Sequence, residues 1–216
     1  MLLWKFKFNS SYSLKKSKGV EKNRPLYIVE KIRQKNLKRK GGICMKKMNN
    51  VEIKRGNTAI SRQKMSRPMK KMYENGKFDN KRVLDFGCGK GFDVEYLKNE
   101  GKIDIVGYEP YACDRYLQYP TGKFDIVTNN YVLNVIEDVE ERKNLVEEMK
   151  KLGDLVVITV RCDKKSIKST WIPYNDGYMT PKNTFQKIYD EKSLKEEFGD
   201  VEILYKDAMG ITFIAK

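Results

Sequence analysis

Histidine is absent from all 216 residues. That excludes a Ser-His-Asp triad, a Cys-His nucleophile and every histidine-ligated metal site. Cysteine is scarce. Cys44, Cys88, Cys113 and Cys162 form no C-x-x-C pair and no zinc-like spacing. Neither a disulfide scaffold nor a metal site is expected, and a reducing cytoplasm fits. No apolar run approaches the ~20 residues of a membrane-spanning helix, so no membrane partner is expected. The opening Met-Leu-Leu-Trp-Lys-Phe-Lys-Phe is too short and too charged for the apolar region of a signal peptide. Apolar residues still make up 40%, enough for a core, and the length suits one domain with an appendage.

Acid is what the N-terminal part lacks. The chain carries 44 Lys+Arg against 29 Asp+Glu, a net charge of +15. Residues 1–44 hold 13 of the basic residues and only Glu21 and Glu30 as acids, which leaves +4 on the rest. Such a segment either neutralises nucleic-acid phosphates or is a solvated, disordered tail. Residues 1–44 therefore read as a basic extension, 45–80 as a helical lid segment and 81–216 as the main domain. Arg39-Lys40-Gly41-Gly42 before Met45 is what a purine-rich ribosome-binding site can encode, so a native start at Met45 or Met48 is the alternative to one at Met1.

The main domain alternates strand and helix. Strands are predicted over 81–86, 103–108, 124–131 and 155–160, with helices over 92–99, from Asp138 and over 190–198. Leu145, Val146, Met149 and Leu152 line one face of the helix after Asp138. Val201–Tyr205 and Ile211–Ala215 read as a final antiparallel pair. Alternation of this kind predicts an α/β fold with a mostly parallel sheet and helices on both faces.

The sharpest signal is Val83-Leu84-Asp85-Phe86-Gly87-Cys88-Gly89-Lys90-Gly91, an apolar strand running into a glycine loop and then a helix. Glycines permit a sharp turn and close approach of a ligand to backbone. Glu109 ends the next strand 18 residues after Gly91, near the spacing at which an acid reaches ribose hydroxyls. The dinucleotide fingerprint G-x-G-x-x-G does not fit, because these glycines are spaced by two. A P-loop is excluded, since no Gly-Lys-Ser/Thr follows. Cys88 reads as a small loop filler, there being no histidine to activate it as a nucleophile.

This segment resembles motif I of class I S-adenosylmethionine-dependent methyltransferases. The resemblance implies a Rossmann-like fold, S-adenosylmethionine as cofactor, and cofactor contacts from Asp85, Phe86, Gly87, Cys88, Gly89, Gly91, Glu109 and Asn129. Further segments are Thr58–Arg62 with Ser66-Arg67-Pro68, Asn130–Asp138, Asp176-Gly177 and Thr184-Phe185-Gln186-Lys187. With the glycine loop they resemble the DNA phosphorothioation-associated methyltransferases over about residues 56–200. That resemblance implies nucleic acid, DNA above all, as partner, together with DNA-modification proteins.

Only 14 residues separate Glu109 from Phe124, too few for a full helix–strand–helix unit. The usual third strand, or the helix before it, is expected to be missing. The tyrosines of 111–119 then either stack on adenine or pack over the sheet edge. Acceptor chemistry is expected at the carboxyl end of the strand ending Thr128-Asn129-Asn130-Tyr131. Asn129, Asn130 and Tyr131 are the catalytic candidates: an amide carbonyl accepts from an exocyclic amine and a phenol ring stacks on a base. The Pro-Pro of many amino-methyltransferases is missing there. Strand-end capping by the two asparagines is the alternative. Asn134 is expected to brace this loop. Arg62, Arg67 and Lys187 are candidate substrate contacts, with solvated surface cations as the alternative. A non-catalytic accessory protein, or a methyltransferase of RNA or small molecules, remains open at this point.

Overall fold

The computed structural model describes residues 53–216, so the basic extension 1–44 and the first residues of the expected lid segment lie outside the described residues. Helix α1 (Arg67–Glu74) starts after an extended Ser66, with proline in its first turn, where a missing N–H costs nothing. Strand β1 (Arg82–Phe86) leads through the glycine loop into α2 (Phe92–Asn99), and β2 (Asp104–Tyr108) follows. Then come β3 (Phe124–Asn130), α3 (Val139–Leu152) and β4 (Gly153–Arg161). Asp138 caps α3 by accepting the Glu141 N–H. Three short strands follow, β5 (Ile172–Tyr174), β6 (Gly177–Met179) and β7 (Phe185–Gln186). Helix α4 (Glu191–Phe198), capped by Asp190, precedes β8 (Val201–Lys206) and β9 (Gly210–Ala215).

The main sheet has the order β2-β1-β3-β4-β9-β8. Its first four strands are parallel, while β9 runs antiparallel to both β4 and β8. Strand β2 is the sheet edge, and only a single 3-10 turn, Asp114–Tyr116, stands between it and β3. The expected loss of a third strand is thus what the short connection produces. Val83, Val94, Leu97, Ile126 and Val157 pack with α1 on one side. Leu84, Val127, Met149, Ile158, Leu194 and Phe213 form the other apolar layer. Each side chain of this size contributes about 1.5–3 kcal/mol when fully buried, so the layers hold the parallel strands in register.

The antiparallel sheet β5-β6-β7 was not predicted. Its strands have two or three residues, and β5 is exposed throughout, so no periodicity marks it. Among the described residues no helix is long and apolar enough to cross a membrane.

Candidate functional site

Register brings the site together. Asp85 on β1 pairs with Gly107 of β2 and Thr128 of β3, and the Thr128 hydroxyl donates to Asp85 Oδ1 at 3.0 Å. The chain then turns, with the Gly87 and Cys88 N–H groups donating to the Tyr108 carbonyl. Gly91 takes a left-handed conformation as the N-cap of α2 (φ 79°). A Cβ on it would meet the Tyr116 ring at 2.1 Å, so this glycine exists for packing. Gly89 differs. A Cβ there would meet only Ala59, at an ordinary 3.6 Å. Of the two, only Gly89 opens its side-chain position to a ligand.

The surroundings of the loop are acidic. Asp85, Asp93 and Glu109 are all buried, and Asp93 and Glu95 sit in the first turn of α2. Burial, with Asp93 and Glu109 nearby, pushes the Asp85 carboxyl up to about 7, against the opposing Thr128 hydroxyl and Asn130 amide. Acids in that first turn repel an anion at the helix end, so the loop disfavours a pyrophosphate and favours a cation. Glu109 has a second task. Its Oε2 accepts the Gly89 N–H at 3.0 Å, and Oε1 accepts from Tyr111 and Ala112 at 2.8 and 3.1 Å. Of a carboxylate's roughly four acceptor positions, backbone therefore takes three, and about one is left for a hydroxyl.

The other expected cofactor contacts divide. Phe86 is buried edge-on against Tyr108, and its carbonyl accepts Asn129 Nδ2 at 2.8 Å. Asn129 thus braces the loop with its amide hydrogen, while its Oδ1 is buried without a partner. Asn130 Nδ2 is also buried and partnerless; it lies near enough to Asp85 to favour ionisation but outside hydrogen-bonding geometry. Ser66, whose N–H donates to Asp93, leaves its hydroxyl unpaired too. Orphaned groups of this kind ask for a ligand. Burial pushes the Cys88 thiol up, and its sulfur fills space against Gly107, in keeping with a filler.

Residues 54–61 cross the loop. A Cβ at Gly56 would strike the Tyr111 carbonyl at 2.6 Å, Ala59 faces Gly89, and Lys90 Nζ donates to Ser61 Oγ at 2.7 Å. Arg55 fixes this strap by pairing with Glu137 at 2.9 Å and Glu141 at 2.5 Å. Sequence reasoning missed Arg55, because its partners lie more than 80 positions away. Of the tyrosines after β2, Tyr116 packs on Gly91 and bonds Glu95, and Tyr119 packs on Tyr108 and bonds Glu148. Tyr111 stays 55% exposed beside the strap and is the one available to stack.

Tyr131 adopts a left-handed conformation (φ 62°), which costs a tyrosine of order 1 kcal/mol or more and marks a position held by its surroundings. Its N–H donates to the Thr159 carbonyl at 2.7 Å. A Cβ at Gly210 would come within 3.1 Å of its hydroxyl. Burial, then Asp207 and Tyr205, push the phenol up to about 12, against the pull of Arg62 and Arg67. Arg67 is exposed and faces Asp207 at 3.7 Å, and Arg62 is half-buried near the same phenol. The two arginines and Tyr131 therefore share one rim.

Lys187 stands elsewhere. It is buried, and its ammonium is held by Asp176 at 2.7 Å and by Glu197. Arg142, fully buried on α3, binds the same two acids and the Ile136 carbonyl. The substrate contact expected of Lys187 does not match this placement: withdrawing its ammonium would leave two carboxylates, Asp176 and Glu197, to Arg142 alone. Asn134 braces the neighbouring turn, donating to Gln186 at 3.3 Å and accepting the Lys187 N–H at 2.8 Å.

A methyltransferase-domain family matches residues 59–201, the span from the strap to the start of β8. The chain belongs to that family. The methyltransferase has the Rossmann-like class I fold, with the glycine loop at the carboxyl edge of its parallel strands. Solved structures of similar shape include 1,6-didemethyltoxoflavin-N1-methyltransferase of Burkholderia thailandensis, with TM-score 0.48, 14% identity and coverage of 69% of this chain and 77% of that one. Another is an S-adenosylmethionine-dependent methyltransferase of Clostridium acetobutylicum, with TM-score 0.45, 13% identity and coverage of 89% and 99%. Magnesium protoporphyrin IX methyltransferase of Synechocystis gives TM-score 0.46, 12% identity and coverage of 87% and 95%. Comparison with curated proteins gives no match.

Proposed function

We propose that this methyltransferase moves a methyl group from S-adenosylmethionine to DNA, alongside a system that modifies the DNA backbone with sulfur. The observation that carries the cofactor is the buried acid group Asp85, Asp93 and Glu109 around a loop open at Gly89. A ligand bearing a sulfonium and an ammonium offsets that negative charge, and an anionic dinucleotide does not. Bound S-adenosylmethionine supplies an already activated methyl group, so alignment and exclusion of water account for much of the rate. Asp85 and the strap at Ala59 hold the charged end, the remaining acceptor position of Glu109 takes a ribose hydroxyl, and Tyr111 covers the edge that lacks a strand. Asn129 Oδ1, without a partner, is a candidate acceptor for a donor on either ligand. Tyr131 keeps its proton at neutral pH, so it orients the methyl acceptor and does not act as a base.

The DNA assignment is supported by the resemblance of four sequence segments and by the basic extension 1–44, which carries most of the net charge of +15. Labelled S-adenosylmethionine incubated with the full chain and genomic DNA tests it. Label released by DNase is the expected result. Label released by RNase, or found only in small molecules, would replace DNA as acceptor. No transfer at all would favour the accessory role that the use of the Asn129 amide as a brace allows.

A further inference from the structure

Three segments that are distant in sequence each bring one lysine to a single cavity. It has a volume of about 670 Å³ and is lined by Lys54, Gly56, Asn57, Ala59, Lys90, Pro181, Lys182 and Asn183. Lys54 belongs to the strap, Lys90 to the glycine loop and Lys182 to the turn between β6 and β7. The Lys54 N–H donates to the Asn183 carbonyl at 2.9 Å, which fastens the strap to that turn. Among the described residues no carboxylate lines the cavity and none of the three ammonium groups forms an ion pair. Lys90 Nζ meets only the neutral Ser61 hydroxyl. Elsewhere on the domain lysines commonly face acids, as Lys164 does Asp190 and Lys206 does Glu191. Three exposed positive charges on one lining leave it without a counter-charge there, and an anion is the ligand that complements it.

We infer that this cavity is a phosphate subsite, and that it takes a backbone phosphate of the DNA whose base is presented at the carboxyl edge. The inference rests on the DNA reading above. Lysines from separate segments act here as point charges, suited to a tetrahedral phosphate without sequence preference. Asn57 and Asn183 add amide donors on the same wall. The place is apt: Ala59 and Lys90 line this cavity and also border the cofactor loop, so a strand gripped here runs past the methyl donor.

The test is a double charge reversal, Lys54→Glu with Lys182→Glu, in the full chain. Both residues are exposed, so the fold survives, which thermal melting checks. Binding of a labelled DNA duplex is followed by fluorescence anisotropy at several salt concentrations. A matched reversal at the exposed Lys151 and Lys192 on α3 and α4 controls for net charge. We expect affinity for DNA to fall roughly tenfold or more, and the salt slope to fall by about 1–2, relative to the matched control. Affinity for S-adenosylmethionine is expected to stay within about twofold, since neither residue touches the acid group. DNA binding equal to that of the control overturns the subsite but leaves the DNA reading standing. A parallel loss of cofactor affinity overturns it differently, by assigning the cavity to the cofactor. Failure of the unaltered chain to bind DNA overturns both the subsite and the DNA reading.

Discussion

The Arg142 guanidinium meets the Glu197 carboxylate at 2.5 Å, with the arginine side chain fully buried and the glutamate 4% exposed. Lys187 and Asp176 complete a neutral group of two cations and two anions. It ties α3, α4 and the small sheet into one frame behind the carboxyl edge. Replacing Arg142 by alanine strands Glu197 beside a single lysine. Urea unfolding of Arg142→Ala is expected to show a loss of about 3–5 kcal/mol. Arg142→Lys rescues little, because the guanidinium reaches Glu197, the Ile136 carbonyl and Asp176 from three separate nitrogens, and an ammonium has one. Lys187→Met is expected to weaken stability while leaving cofactor affinity unchanged, the pattern of a brace and not of a binding residue.

The glycines of the loop separate by what faces them. Gly91→Ala drives a methyl group into the Tyr116 ring and displaces the turn that replaces the missing strand. It is expected to lower the melting temperature sharply and to weaken cofactor binding as a consequence. The Cβ of Gly89→Leu meets only Ala59, so its cost at that atom is the left-handed backbone, about 1–2 kcal/mol. Calorimetric titration with S-adenosylmethionine is expected to show no binding by a folded Gly89→Leu protein. Retained affinity would remove the loop from the cofactor site.

Much of this was legible in the sequence, for physical reasons. Phe92–Asn99 was predicted to the residue, because a glycine start, an apolar face and Gly101 bound it. The lost strand was legible from chain length alone. Distant side-chain pairings were not. Arg142 lies one turn before Val146 on the apolar face of α3, and nothing local announces that two acids will meet it. In the sequence, the motif Thr184–Lys187 offers Lys187 as a candidate substrate contact. Its Phe185, Gln186 and Lys187 instead point into the frame, where Phe185 fills the core and Gln186 receives Asn134. Spacing marks a ligand loop because the loop is contiguous; a buried ion group drawn from four segments leaves no spacing to read.

Asp85 couples cofactor binding to pH. Its folded pKa lies above the usual carboxylate value, at about 7, chiefly through burial. The linkage sign follows: the stability associated with the neutral acid is present at low pH and is lost as pH rises toward 7. A cationic ligand favours the ionised form, so binding expels a proton. Affinity for S-adenosylmethionine is expected to tighten with pH up to about 7, by at most about tenfold per unit, and then to level off. Asp85→Asn removes this slope and most of the affinity. It also removes the buried charge, so the ligand-free variant is expected to melt above the native protein at pH 8. Calorimetry and thermal melting across about pH 4–8 check both signs, a range that spans the ordinary carboxyl value and the raised one.

Tyr131 is held left-handed by the Thr159 carbonyl, with its hydroxyl against the start of β9. Two substitutions separate its ring from its hydroxyl. Tyr131→Phe keeps the ring and the shape and removes only the phenol. If the hydroxyl orients the acceptor, kcat falls by about tenfold or more while cofactor affinity holds, the loss of one oriented hydrogen bond. Tyr131→Gly relieves the backbone strain and removes the ring as well. It is expected to fold at least as well as a Tyr131→Ala protein, which keeps the strain, yet to transfer no methyl group. A pH profile closes the argument. With the phenol raised to about 12, methyl transfer is expected to show no limb from Tyr131 between pH 6 and roughly 10. An alkaline limb in that range that disappears in Tyr131→Phe would make the tyrosine a base.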